Sequence, residues 1–120
     1  MKIAIPMNEM NMDAEVCVSF GRAPYFLIYD TEKKEVLFSA NKAASAQGGA
    51  GIKAAQEIVD QNVQVLLTVR CGENAAEVFK AAEISVYKTT KVTAKGNIEA
   101  FEKGELAVMT HFHAGFHKKA

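Results

Sequence analysis

Gly48-Gly49-Ala50-Gly51-Ile52-Lys53-Ala54-Ala55-Gln56-Glu57-Ile58-Val59-Asp60, followed after Gln61-Asn62 by Val63-Gln64-Val65-Leu66-Leu67-Thr68-Val69, decides the fold class. In the first run Ile52, Ala55, Ile58 and Val59 recur at helical spacing, with Lys53, Gln56, Glu57 and Asp60 on the other side. The second run is nearly all apolar, as in a central strand covered on both faces. A helix feeding a buried strand is half of a strand–helix–strand unit, which favours a parallel sheet and right-handed crossovers.

Toward the carboxyl end, Arg70-Cys71-Gly72 breaks the strand. Residues 73–82 read as a second helix with Ala75, Val78, Phe79 and Ala82 inward, and 84–87 as a short strand. Thr93 is the expected N-cap of a third helix running to Lys103, with Ile98 and Phe101 inward and Gly104 as its stop. Gly96 weakens that helix by about 1 kcal/mol relative to alanine. Leu106 to Met109 is short and apolar, and the tail holds His111, His113 and His117. Toward the amino end, residues 2–6 and 25–30 read as strands separated by a loop over 7–24. The polar turn 31–34 joins the second to a strand over 35–40, making a hairpin. The expectation is an α/β domain over 1–120, with 107–120 as a tail. It has a mixed five-stranded sheet with one antiparallel strand, flanked by helices.

With 14 basic and 14 acidic residues, nothing pulls the chain as a whole toward nucleic acid or anionic membrane, and neither is expected as a partner. No segment approaches the roughly 20 apolar residues that span a bilayer. The apolar start is too short for a signal peptide. The expected location is the cytoplasm, with Cys17 and Cys71 reduced and free to meet a soft metal.

Following strand directions, the loops 7–24, 41–51, the Cys71 turn and residues 88–92 converge on one edge of the sheet. Three of them sit at carboxyl ends of parallel strands, where open α/β sheets place ligands. Cys17, Arg22, Gly48, Gly49, Gly51, Cys71 and Asn74 fall on this rim. If residues 106–110 return upward, His111, His113 and His117 join them, and His-x-His puts two imidazoles on one face of an extended segment. Each signal has a plainer alternative. The glycine loop holds an anion at a helix end or is a flexible entry to the helix. The thiols are metal ligands, Cys71 the better one for its place before a helix, or small buried apolar groups. The histidines bind metal or belong to a solvated tail, and Arg22 contacts an anion or is a surface charge. Met7, Met10 and Met12 are soft ligands or apolar filler. No catalytic set emerges, so a binding protein rather than an enzyme is expected.

Phe20-Gly-Arg-Ala-Pro-Tyr-Phe-Leu-Ile-Tyr-Asp30, Gly48-Gly-Ala-Gly-Ile-Lys-Ala-Ala-Gln56, Gly72-Glu-Asn-Ala75, Ile84-Ser-Val-Tyr87 and Ile98-Glu-Ala-Phe-Glu-Lys-Gly-Glu-Leu106, in that order, resemble the dinitrogenase iron–molybdenum cofactor biosynthesis family. That family includes NifX-like and NafY-like proteins and the carboxy-terminal part of NifB. The resemblance implies a ribonuclease H-like fold. It also implies loose binding of an iron–molybdenum cofactor precursor or a related molybdenum-, iron- or copper-containing sulfide cluster. Ser19 stands where many members carry a candidate ligand histidine, so ligation is expected to shift to Cys17, Cys71 and the tail histidines. The competing reading is a regulatory or scaffold module whose rim binds an ATPase of iron–sulfur assembly or a cofactor-accepting apoprotein.

Overall fold

The computed structural model describes residues 1–112. Its elements in chain order are β1 (Lys2–Met7), β2 (Tyr25–Asp30), β3 (Glu35–Ala40), α1 (Ala50–Asp60), β4 (Val65–Thr68), α2 (Glu73–Ala81), β5 (Ser85–Lys88) and α3 (Ala94–Glu102). The sheet order is β3-β2-β1-β4-β5. β2 is antiparallel to both of its neighbours, while β1, β4 and β5 are mutually parallel. The single reversed strand follows from the short hairpin turn, where Asp30 accepts hydrogen bonds from the backbone N–H groups of Glu32 (2.9 Å) and Lys33 (3.1 Å). The Lys33 N–H, more than any other group, holds the Asp30 carboxyl below its usual range.

Alternation along β1 builds two cores. Ala4 faces one side with Phe26, Ile28 and Leu66, covered by Ala54, Ala55 and Ile58 of α1 and Phe79 of α2. Ile3, Ile5 and Met7 face the other with Leu27 and Leu67, covered by Ala94, Ile98 and Ala100 of α3. The small residues of α1 let it lie close to both the sheet and α2. Met7 is core, Met12 packs against the same core as apolar filler, and Met10 is exposed.

Asn97 is fully buried within α3 and satisfies all of its amide. Its Oδ1 accepts from the N–H groups of Thr90 and Lys91 (3.0 Å each), and its Nδ2 donates to the carbonyls of Lys91 (2.9 Å) and Thr93 (2.8 Å). Thr93 caps the helix as expected, its Oγ1 accepting from the Gly96 N–H at 3.1 Å.

Four details differ from the sequence reading. α1 begins at Ala50, and Ile52 is 39% exposed rather than inward, because Ala50, Ala54, Ala55 and Ile58 form the buried stripe. β4 is trimmed to Val65–Thr68, since the parallel ladder to β5 ends there. Ala82 is the exposed C-cap of α2, not a core residue. Residues 107–109 run antiparallel to β5, with the Lys88 N–H donating to the Ala107 carbonyl (3.0 Å) and the Met109 N–H to Val86 (2.8 Å). They line the sheet border instead of climbing back to the rim.

Candidate functional site

The loops at the carboxyl ends of β1 and β4 surround a cavity of about 670 Å³. Ser19, Arg22, Gly48, Gly49, Gly51 and Asn74 all border it, together with Cys71 and Arg70. Three loops are tied together to form its wall. Asn41, nearly buried, donates from Nδ2 to the carbonyls of Gly21 (3.0 Å) and Ala23 (2.8 Å) and accepts from the Ala43 N–H (3.0 Å). Ser19 and Arg70 form a parallel bridge that joins the first loop to the end of β4.

Two helices begin at this cavity, and neither has a side-chain cap. Gly49 precedes α1 with φ at 69°, a left-handed backbone that glycine adopts without strain. Gly72 precedes α2. Among the described residues only α3 is side-chain capped, at Thr93. The first-turn N–H groups of α1 and α2 therefore present partial positive charge beside the cavity. No aspartate or glutamate lines it among the described residues. Val18 (56% exposed) and Ile52 give the mouth an apolar lip.

The two arginines differ. Arg22 donates from Nη1 to the Ala44 carbonyl at 3.0 Å and also to that of Ala46, so one face of its guanidinium is occupied in fixing the 41–47 loop. Arg70 is exposed, has no ion-pair partner among the described residues, and is the freer cation at the site. Sequence reasoning passed over Arg70 as a strand breaker. Its position directly after an apolar strand, before the Cys71-Gly72 helix entry, was the available signal.

The sulfur ligands are not arranged as expected. Cys71 is 2% exposed, and burial pushes its thiol up to about 12, so desolvation outweighs the nearby helix end that was expected to favour thiolate. Its Sγ donates to the Gly72 carbonyl at 3.5 Å. Cys17 is also buried, lies outside the cavity lining, and donates to the Ser19 carbonyl at 3.5 Å. His111 is exposed and lines neighbouring grooves, one of which it shares with Arg70 and Cys71. His113 and His117 lie outside the described residues. Among the described residues no three histidine, cysteine or acidic side chains are grouped to hold a metal ion, and no helix is long and apolar enough to cross a membrane.

The fold is shared with solved structures. The apo form of the orange protein from Desulfovibrio gigas is 28% identical, with a TM-score of 0.86 over 91% of this chain and 92% of that one. A Thermotoga protein provisionally assigned as NifB is 38% identical, with a TM-score of 0.81 over 92% of this chain and 95% of that one. No curated protein sequence matches. The family model described as dinitrogenase iron–molybdenum cofactor matches residues 1–104, and the chain belongs to that family.

Proposed function

We propose that the protein binds and carries an anionic metal–sulfur cofactor, or a precursor of one, in the cavity beyond β1 and β4, and that it is not an enzyme. One observation carries this reading: two helix N-termini without side-chain caps and two guanidinium groups border a single cavity with no carboxylate in its described lining. Sulfide clusters of molybdenum, iron or copper are multiply negative, and backbone N–H groups and arginine suit such anions. Membership of the family supports a cofactor as the cargo. In this reading the cargo is held by charge and hydrogen bonds, and the buried thiols of Cys17 and Cys71 are packing groups. The strand order supports a ribonuclease H-like assignment of the sheet, and the cytoplasm is the proposed location.

The test is anaerobic incubation with molybdate, iron or copper in the presence of sulfide. The expected result is a visible charge-transfer band that co-elutes with the protein, is weakened by added salt and by Arg70→Gln, and persists in a Cys17→Ala/Cys71→Ala variant. A colourless protein under all these conditions refutes the reading.

The exposed Val18 and Ile52 at the lip favour a second reading, in which the rim docks a protein. An ATPase of iron–sulfur assembly or a cofactor-accepting apoprotein would fit. Val18→Ser/Ile52→Ser then loses the partner in a pull-down while leaving cargo binding intact.

A further inference from the structure

We propose that β3 pairs with β3 of a second copy of this chain, antiparallel and with Leu37 on the two-fold axis, so that two sheets join into one. The pairing goes beyond the cofactor reading and uses no residue of the anion cavity.

β3 is composed like an inner strand but lies outermost. Val36, Leu37 and Phe38 are consecutive apolar residues, so both of its faces are apolar, as in a strand flanked by neighbours. Val36 is 37% and Leu37 61% exposed. Outer strands are commonly guarded by proline, lysine or a bulge. Glu35–Ala40 holds no proline or lysine, and its register with β2 runs one to one over its whole length without a bulge. Among the described residues no strand pairs with its outer side.

The ladder to β2 fixes which groups are free. The Asn41 N–H donates to the Pro24 carbonyl at 2.9 Å, and bonded pairs recur at every second residue of an antiparallel ladder. Ser39, Leu37 and Glu35 therefore bond to β2, and the N–H and carbonyl groups of Val36, Phe38 and Ala40 point outward. With Val36 opposite Phe38 of the second copy, these groups exchange hydrogen bonds on both sides of the axis. Leu37 then faces Leu37 of the second copy in a non-bonded pair, where Cα atoms stand about 4.5 Å apart and side chains are closest. The same register sets Glu32 toward Lys42 of the second copy at each end. An axis at Phe38 would set Lys34 against Lys42, and an axis at Val36 would set Glu35 against Leu37, so side-chain pairing selects Leu37. The strand complements itself in hydrogen bonds, apolar surface and charge, which is what a two-fold contact requires.

The experiment is sedimentation equilibrium of the full chain at rising concentration. One strand edge is a small interface, so the expected result is a mass that climbs from one chain toward two between micromolar and millimolar protein. Leu37→Lys opposes two ammonium groups on the axis and weakens pairing more than about tenfold. Val36→Pro removes an outward N–H that β2 does not use and weakens it likewise. Cross-linking reads the register. Leu37→Cys links to itself under mild oxidation, because the spacing suits a disulfide, whereas Glu35→Cys and Ser39→Cys link only when mixed. Cys17 and Cys71 are buried and do not compete. Circular dichroism confirms that the variants fold. Arg70→Gln leaves the mass unchanged, so pairing and cargo binding are read separately. A single-chain mass at every concentration overturns the proposal. So does a dimer untouched by Leu37→Lys, or Glu35→Cys linking to itself as fast as Leu37→Cys.

Discussion

Gly21 and Gly51 meet backbone to backbone: a Cβ at Gly21 would stand 3.0 Å from both the Cα and the N of Gly51. This contact presses the 18–22 loop onto the first turn of α1 and sets one wall of the cavity. Gly21→Ala is expected to push that turn outward, destabilising the fold by about 1–3 kcal/mol through overpacking. Cargo binding should fall by more than the stability loss explains. Urea unfolding and the charge-transfer band measure the two effects. A variant with native stability and native binding would show that the wall can yield.

Asn97 gives a test of the other face. Asn97→Ala removes the buried amide that accepts from the N–H groups of Thr90 and Lys91, both partly buried bonds between the helix and an exposed loop. The expected loss is about 1–3 kcal/mol, read as a lower urea midpoint with an unchanged slope. Since α3 covers the core opposite α1 and α2, the residual native protein should bind cargo normally.

Cys71 predicts a pH effect. Its thiol ionises near 9.0 when unfolded and near 12 when folded. Its contribution to stability is therefore complete below pH 9 and is lost as pH rises toward 12, because only the unfolded chain gives up the proton there. The slope reaches about 1.4 kcal/mol per pH unit. Urea midpoints at rising alkaline pH should fall less steeply in Cys71→Ala than in the parent. At neutral pH a thiol reagent should label native Cys71 far more slowly than the unfolded chain.

The two arginines should separate by salt and by stability. Arg70→Gln is expected to lower cargo affinity several-fold and flatten its salt dependence while leaving the unfolding midpoint unchanged, since Arg70 is exposed. Arg22→Gln should also lower the midpoint, because the carbonyls of Ala44 and Ala46 lose their donor. Equal effects of the two changes on stability would contradict this division of roles.

Much of the fold was legible because its signals are local. The hairpin strands Tyr25–Asp30 and Glu35–Ala40 and the Thr93 cap stand where the residue pattern put them. Ile52 was misplaced because it lies three residues before Ala55 and seven before Val59, which makes one helical stripe, while Ala50, Ala54, Ala55 and Ile58 make another, and packing against the sheet and α2 chose the second. The convergence of Arg22, the glycine loop, Cys71 and Asn74 followed from strand direction, which also put Cys17 on the rim, outside the cavity lining; Ser19 was singled out by the family resemblance. What could not be read was long-range. The pairing of Ser19 with Arg70 joins residues far apart in sequence, and it set Arg70 at the cavity. Cys71 is buried as part of the core cluster that also holds Phe20, Ala75 and Phe79, whereas sequence showed only the nearby helix start.

The Tyr87–Val108 bridge bears on self-association. Residues 107–109 occupy the border of the sheet at β5, and the β3 border, with Leu37 61% exposed, stays open. Two molecules joined along β3 would use up the strand border that is open among the described residues and leave at each end a β5 border covered by residues 107–109, so this route favours a pair over a fibre.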